Sequence, residues 1–208
     1  LDAPVYLHIG NSKAPGSISE PEYTDPAYLQ EAIELYPNTK FILGHMGFDF
    51  VDSQLGNVQD CVDLAALYPN VYLEASAIGS EFNDENGEKL AAVFERIKEA
   101  GVINKIIYGS DGPVRPGYLN DYLQSTLSAM QTNGYTLDEM EQVLHGNFER
   151  TFATTLERHG IDLARHRRRL YFDRIQPVLV GMQLALTALW RRSMIEAAAA
   201  HAYGFASR

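Results

Sequence analysis

Cysteine is almost missing from this 208-residue chain. Cys61 stands alone, so no intrachain disulfide can form. That usage fits a reducing compartment, and a cytoplasmic protein is the expectation. Basic residues are scarce as well, 17 Lys and Arg against 27 Asp and Glu, for a net charge of −10. A nucleic-acid surface needs clustered Lys and Arg, so nucleic acid is excluded as a partner. No apolar run reaches the roughly 20 residues of a membrane span. The best, Val178 to Trp190, is shorter and interrupted by Gln183 and Thr187. An initiating Met is also lacking. The chain begins at Leu1 and reads almost at once into a strand, so we expect a fragment whose natural amino-terminal portion is absent.

What is present is a repeat. Four short apolar runs recur: PVYLHIG at His8, KFILGHMG at His45, NVYLEASA at Glu74 and Ser76, and KIIYGSDGP at Asp111. His8, His45, Glu74 and Asp111 are separated by 37, 29 and 37 residues. Each interval suits one strand, one helix and two loops, the unit of a parallel α/β fold. The runs are apolar without alternation, as strands covered on both faces are.

The segments between them read as amphipathic helices. Asp25 caps a helix with Pro26 at its first position and Leu29, Ala32, Ile33 and Tyr36 on one face. A second helix runs from about Asp52 to Tyr68, with Cys61 on its apolar side. A third carries Leu90, Val93, Phe94 and Ile97 and stops at Gly101. The fourth uses Leu119, Leu123, Leu127 and Met130. Thr136 and Glu139 form a capping-box pattern, and Asn147 is placed to cap the closing helix, with Arg150 bracing it. Composition then breaks. Residues 156–208 hold nine Arg, no Lys and four acidic residues, a balance of +5 against −15 for the rest. Residues 1–158 are therefore expected to be one α/β domain and 159–208 an arginine-rich helical tail in which no chemistry is visible.

Each strand-end residue taken singly has an ordinary structural reading. Together they share one place in the repeat, and parallel α/β folds put their chemistry at the carboxyl ends of the strands. Imidazole nitrogen and carboxylate oxygen suit zinc or a similar divalent ion, which lowers the pKa of a bound water to about 7. Glu74 and Ser76 are candidates to touch substrate. Arg115, just past Asp111, is placed to bind a substrate carboxylate in bidentate fashion. His145 falls at a helix end, and no catalytic part is assigned to it.

The four runs, followed by LHGNFERTF, resemble the last four strands and closing helix of the amidohydrolase superfamily. Within it they look most like the amidohydrolase-related branch that includes aminocarboxymuconate-semialdehyde decarboxylase and its relatives. The resemblance covers roughly residues 1–157. It implies a metal-dependent TIM-type (β/α)8 barrel, of which this chain carries about the last four βα units. His8 would be the fifth-strand metal ligand. His45, on the sixth strand, would be a second ligand or an acid–base and substrate-polarising group. Asp111, on the eighth, would bind the metal and handle the proton of the attacking water. The first-strand His-X-His pair of that family occurs nowhere in this chain. Only part of a site is therefore expected.

The reading that follows is a metal-dependent hydrolase, most readily zinc-dependent, acting on a small ester, lactone or amide, with a homo-oligomer as a possible assembly. The alternatives are a metal-dependent decarboxylase (a lyase) of a small carboxylic acid, and a non-catalytic truncated or fused segment. The isolated chain is expected to be inactive.

Overall fold

A computed structural model describes residues 4–12, 21–112 and 116–160 of the chain. Arg115 and the tail beyond residue 160 lie outside the described residues. The chain divides into two units, Leu1–Thr155 and Leu156–Arg208, and nearly everything described belongs to the first.

Each apolar run becomes a strand: β1 (Val5–His8), β2 (Phe41–Gly44), β3 (Val71–Glu74) and β4 (Ile106–Ile107). They form one four-stranded sheet in the order β1-β2-β3-β4, and every pair is parallel. Strand order follows chain order without a reversal, unlike doubly wound sheets, which turn back at a switch point. Register places Tyr6 beside Ile42 and Tyr72, and His8 beside Gly44 and Glu74. Because side chains alternate along a strand, these residues share one face. Phe41, Leu43, Val71, Leu73 and Ile106 point the other way and are buried.

β1 departs from the expectation of strands covered on both sides. Val5 is 39% and Tyr6 53% exposed, whereas all four residues of β2 are buried. The apolar run is present, but β1 is an edge strand with sheet on one side only.

The helices are α1 (Gln30–Leu35), α2 (Val58–Leu67), α3 (Glu88–Glu99), α4 (Tyr118–Thr132), α5 (Leu137–Glu141) and α6 (Asn147–Arg158). Asp25 does accept a capping bond from Ala27 N–H, with Pro26 at the first position, but it opens a 3-10 turn ahead of α1. Tyr36 is exposed rather than packed. α2 starts six residues later than Asp52, after a turn in which Asp49 Oδ1 accepts the Val51 and Asp52 N–H groups. Cys61 joins its buried face, and burial pushes the thiol pKa far up.

α3 buries Leu90, Val93, Phe94 and Ile97. It closes in a Schellman motif: Val102 N–H reaches Ile97 O at 3.1 Å and Gly101 N–H reaches Lys98 O at 3.0 Å, with Gly101 at φ 70°. α4 is rotated from the expected stripe. Leu119 is exposed, and Tyr118, Tyr122, Thr126, Leu127, Ala129 and Met130 are buried. Tyr122 decides the rotation, because its hydroxyl reaches the Ala75 carbonyl at 2.5 Å.

The capping box at Thr136 and Glu139 forms as read. Asn147 does not cap. It is helical and fully buried, and its side-chain amide donates to Ile103 O and Ile106 O, both at 2.7 Å. It thereby pins α6 to the start of β4, while Arg150 donates to the Asn147 side-chain oxygen. Among the described residues no helix is long and apolar enough to cross a membrane.

Candidate active site

Because the strands are parallel and in chain order, their carboxyl ends lie together. His8 is the last residue of β1, His45 follows the last of β2, Glu74 ends β3, and Asp111 comes four residues after β4. The His8 and His45 rings meet edge to face with centroids 4.5 Å apart. Phe50 stands 5.2 Å from the His45 ring and 6.5 Å from that of His8.

The loops leaving the strands are bent. His45, Met46, Ala77 and Asp111 all have positive φ, between 47° and 62°. Left-handed backbone costs a non-glycine residue on the order of 1–2 kcal/mol, and such strain clusters at functional sites. Here it falls at three consecutive strand exits.

Desolvation lowers the His8 pKa first, and the neighbouring His45 lowers it further. A hydrogen bond to the Gly10 backbone and the charge of Asp111 oppose them without winning. His8 is thus kept as neutral imidazole, the form that ligates metals. The same influence places the Asp111 carboxylate within electrostatic reach of His8, and of Tyr6, whose pKa burial and Glu74 raise.

Glu74 is buried, and its Oε2 accepts from Tyr6 at 2.8 Å and from Ser76 at 2.7 Å. Both hydroxyls hold this oxygen within the buried cluster. Ser76 continues to His45 Nδ1, 3.1 Å from its hydroxyl and 3.2 Å from its carbonyl.

The residues fit a divalent ion in chemistry and not yet in number. Two imidazoles and a carboxylate are suitable donors, but among the described residues no three His, Cys, Asp or Glu gather as a ligand set. His8 and His45 are in contact and Asp111 acts on His8 through its charge, without the three converging.

Tyr6 and Phe50 were missed by sequence reasoning. Tyr6 shares the face of His8, two residues before it, and that spacing was the available signal. Nothing in the sequence singles out Phe50. A groove of about 540 Å³ between residues 79–88 and α4, lined by Glu81, Asp84, Glu85, Glu88 and Asp121, includes none of the strand-end residues.

A family model described as Amidohydrolase matches residues 1–153. The chain belongs to the amidohydrolase family. No curated protein matches it. Among solved structures, it is similar to a protein from Lactobacillus casei ATCC 334 provisionally assigned as a metal-dependent hydrolase, at 15% identity and a TM-score of 0.58. That match covers 74% of this chain and 40% of the other, so this amidohydrolase chain spans less than half the length of that structure. At such identity the likeness speaks for the fold.

Proposed function

We propose that this chain carries one side of the active site of a metal-dependent hydrolase that directs water onto a small ester, lactone or amide. The observation that carries the reading is the pairing of His8 and His45 at 4.5 Å, at the strand ends of an amidohydrolase chain, with the charge of Asp111 acting on His8. The open edge at β1 and the exposed Tyr6 and His8 on the face they share support a second part. The four βα units form the carboxyl-terminal half of a (β/α)8 barrel, and further ligands arrive from its other half.

In that arrangement His8 and Asp111 hold the ion, most readily zinc, with His45 as a further ligand or proton carrier. The ion supplies Lewis acidity that favours water ionisation and polarises a carbonyl. His8 contributes a neutral nitrogen, since its depressed pKa keeps the ring uncharged near neutrality. Asp111 accepts the proton of the attacking water, which needs a carboxylate within hydrogen-bond reach. Phe50 packs against both rings and limits their rotation. Arg115 is assigned to a substrate carboxylate.

The test is turnover of ester, lactone and amide substrates by the chain joined to the amino-terminal half of a family member and loaded with zinc. Hydrolysis at rates lost in Asp111→Asn is expected. Carbon dioxide release from carboxylic acids without ester, lactone or amide cleavage would replace the hydrolase with the decarboxylase reading.

A further inference from the structure

Glu74 holds the key to how His45 presents its nitrogens. Its position, only 6% exposed, would be costly for a carboxylate that was not hydrogen-bonded. Two hydroxyls on Oε2 meet that need. The space for the cluster comes from glycine. A Cβ on Gly44 would collide with the Tyr6 ring, and one on Gly109 with Glu74 Oε1. Tyr6 thus crosses β2 above Gly44 to reach Glu74 on β3.

Ser76 lies between Glu74 and His45. Its one hydroxyl proton is committed to Glu74 Oε2 at 2.7 Å. The hydroxyl oxygen is then an acceptor towards His45 Nδ1 at 3.1 Å. The Ser76 carbonyl, 3.2 Å from the same nitrogen, has no proton to give. Both groups facing Nδ1 accept, so Nδ1 carries the hydrogen and Nε2 carries the lone pair. An unconstrained neutral imidazole favours the opposite arrangement, with its hydrogen on Nε2.

We propose that Glu74 is a positioning residue: by fixing the Ser76 hydroxyl as an acceptor it reinforces the Nδ1–H tautomer of His45 that the Ser76 carbonyl also favours, and leaves Nε2 as the free nitrogen. The proposal rests on the reading of His45 as a ligand or proton carrier, for which a bare Nε2 is the useful form. It gives the strand-end carboxylate of β3 a task other than substrate contact.

The experiment is long-range ¹H–¹⁵N correlation spectroscopy on the metal-free full chain with ¹⁵N-labelled histidine, at a pH where the His45 ring is neutral. The expected spectrum shows Nδ1 protonated and Nε2 bare. Glu74→Leu removes the acceptor and frees the Ser76 hydroxyl to turn towards Nδ1. The Ser76 carbonyl still accepts from Nδ1, so the tautomer ratio moves towards Nε2–H by no more than about tenfold, the effect of one hydrogen bond. Glu74→Gln keeps an acceptor oxygen and keeps the wild-type ratio. A bare Nδ1 in the wild-type chain overturns the proposal, and so does an unchanged ratio in folded Glu74→Leu. The wild-type spectrum needs no variant, so misfolding of Glu74→Leu leaves that test standing. A correct tautomer in a zinc-loaded, completed enzyme that hydrolyses nothing would remove the hydrolase reading and keep the relay. An active enzyme with the wrong tautomer would do the reverse.

Discussion

Strained backbone and buried polar groups sit on the same few residues at the strand ends. Ala77 has φ 62° and no part in the hydrogen bonds around His45. Ala77→Gly should therefore raise stability by about 0.5–1 kcal/mol, the left-handed penalty less the added entropy of glycine, measured by urea denaturation. Asp111, at φ 47°, would gain similar relief from glycine, at the expense of its carboxylate. Asp111→Asn keeps shape and loses basicity. In the completed, metal-loaded enzyme it should lower turnover on the order of 10²–10⁴-fold with the fold intact by circular dichroism. His8 supplies a pH test. Its folded pKa lies below the ordinary 6.5, so the unfolded chain takes up its proton first as pH falls. The contribution of His8 to stability is full above that value and is lost as pH drops through 6.5 towards the folded pKa. Denaturation midpoints from pH 8 to pH 5 should fall less steeply in His8→Gln than in the wild type.

Elements formed where several local signals agreed. The runs at Phe41, Val71 and Ile106 became strands because they are short, apolar and bounded by turn residues. α3 took its predicted face and stop because the apolar spacing and Gly101 act together. Replacing Gly101 by Ala meets open space but not a permitted φ, so it should cost about 1 kcal/mol in thermal or chemical denaturation. Where one signal acted alone the outcome was decided elsewhere. The stripe of α4 held at Leu127 and Met130 but gave way at Leu119 to a tyrosine face, where Tyr122 finds a buried carbonyl 47 residues away in sequence. Asn147 carried a capping signature and was drawn instead to carbonyls just before and at the start of β4. The placement of His8, His45, Glu74 and Asp111 was legible because parallel strands bring their ends together. The inward turn of Glu74 was not, since it depends on Gly44 and Gly109 lying under neighbouring side chains.

At the scale of the molecule, the sheet is open where a barrel would be closed. Among the described residues β1 presents an unpaired edge, and Val5 on it is exposed. Such edges invite pairing with other chains. The chain alone should self-associate with rising concentration in sedimentation velocity, and Val5→Lys should reduce it. The same incompleteness bears on metal: two imidazoles and a carboxylate should bind only weakly until further donors arrive. Equilibrium zinc titration of the full chain at neutral pH, beside the His8→Ala/His45→Ala double variant, tests the account most directly. Weak binding, abolished in the double variant, is the predicted result. Zinc binding of equal strength in both proteins would place the metal elsewhere and contradict it.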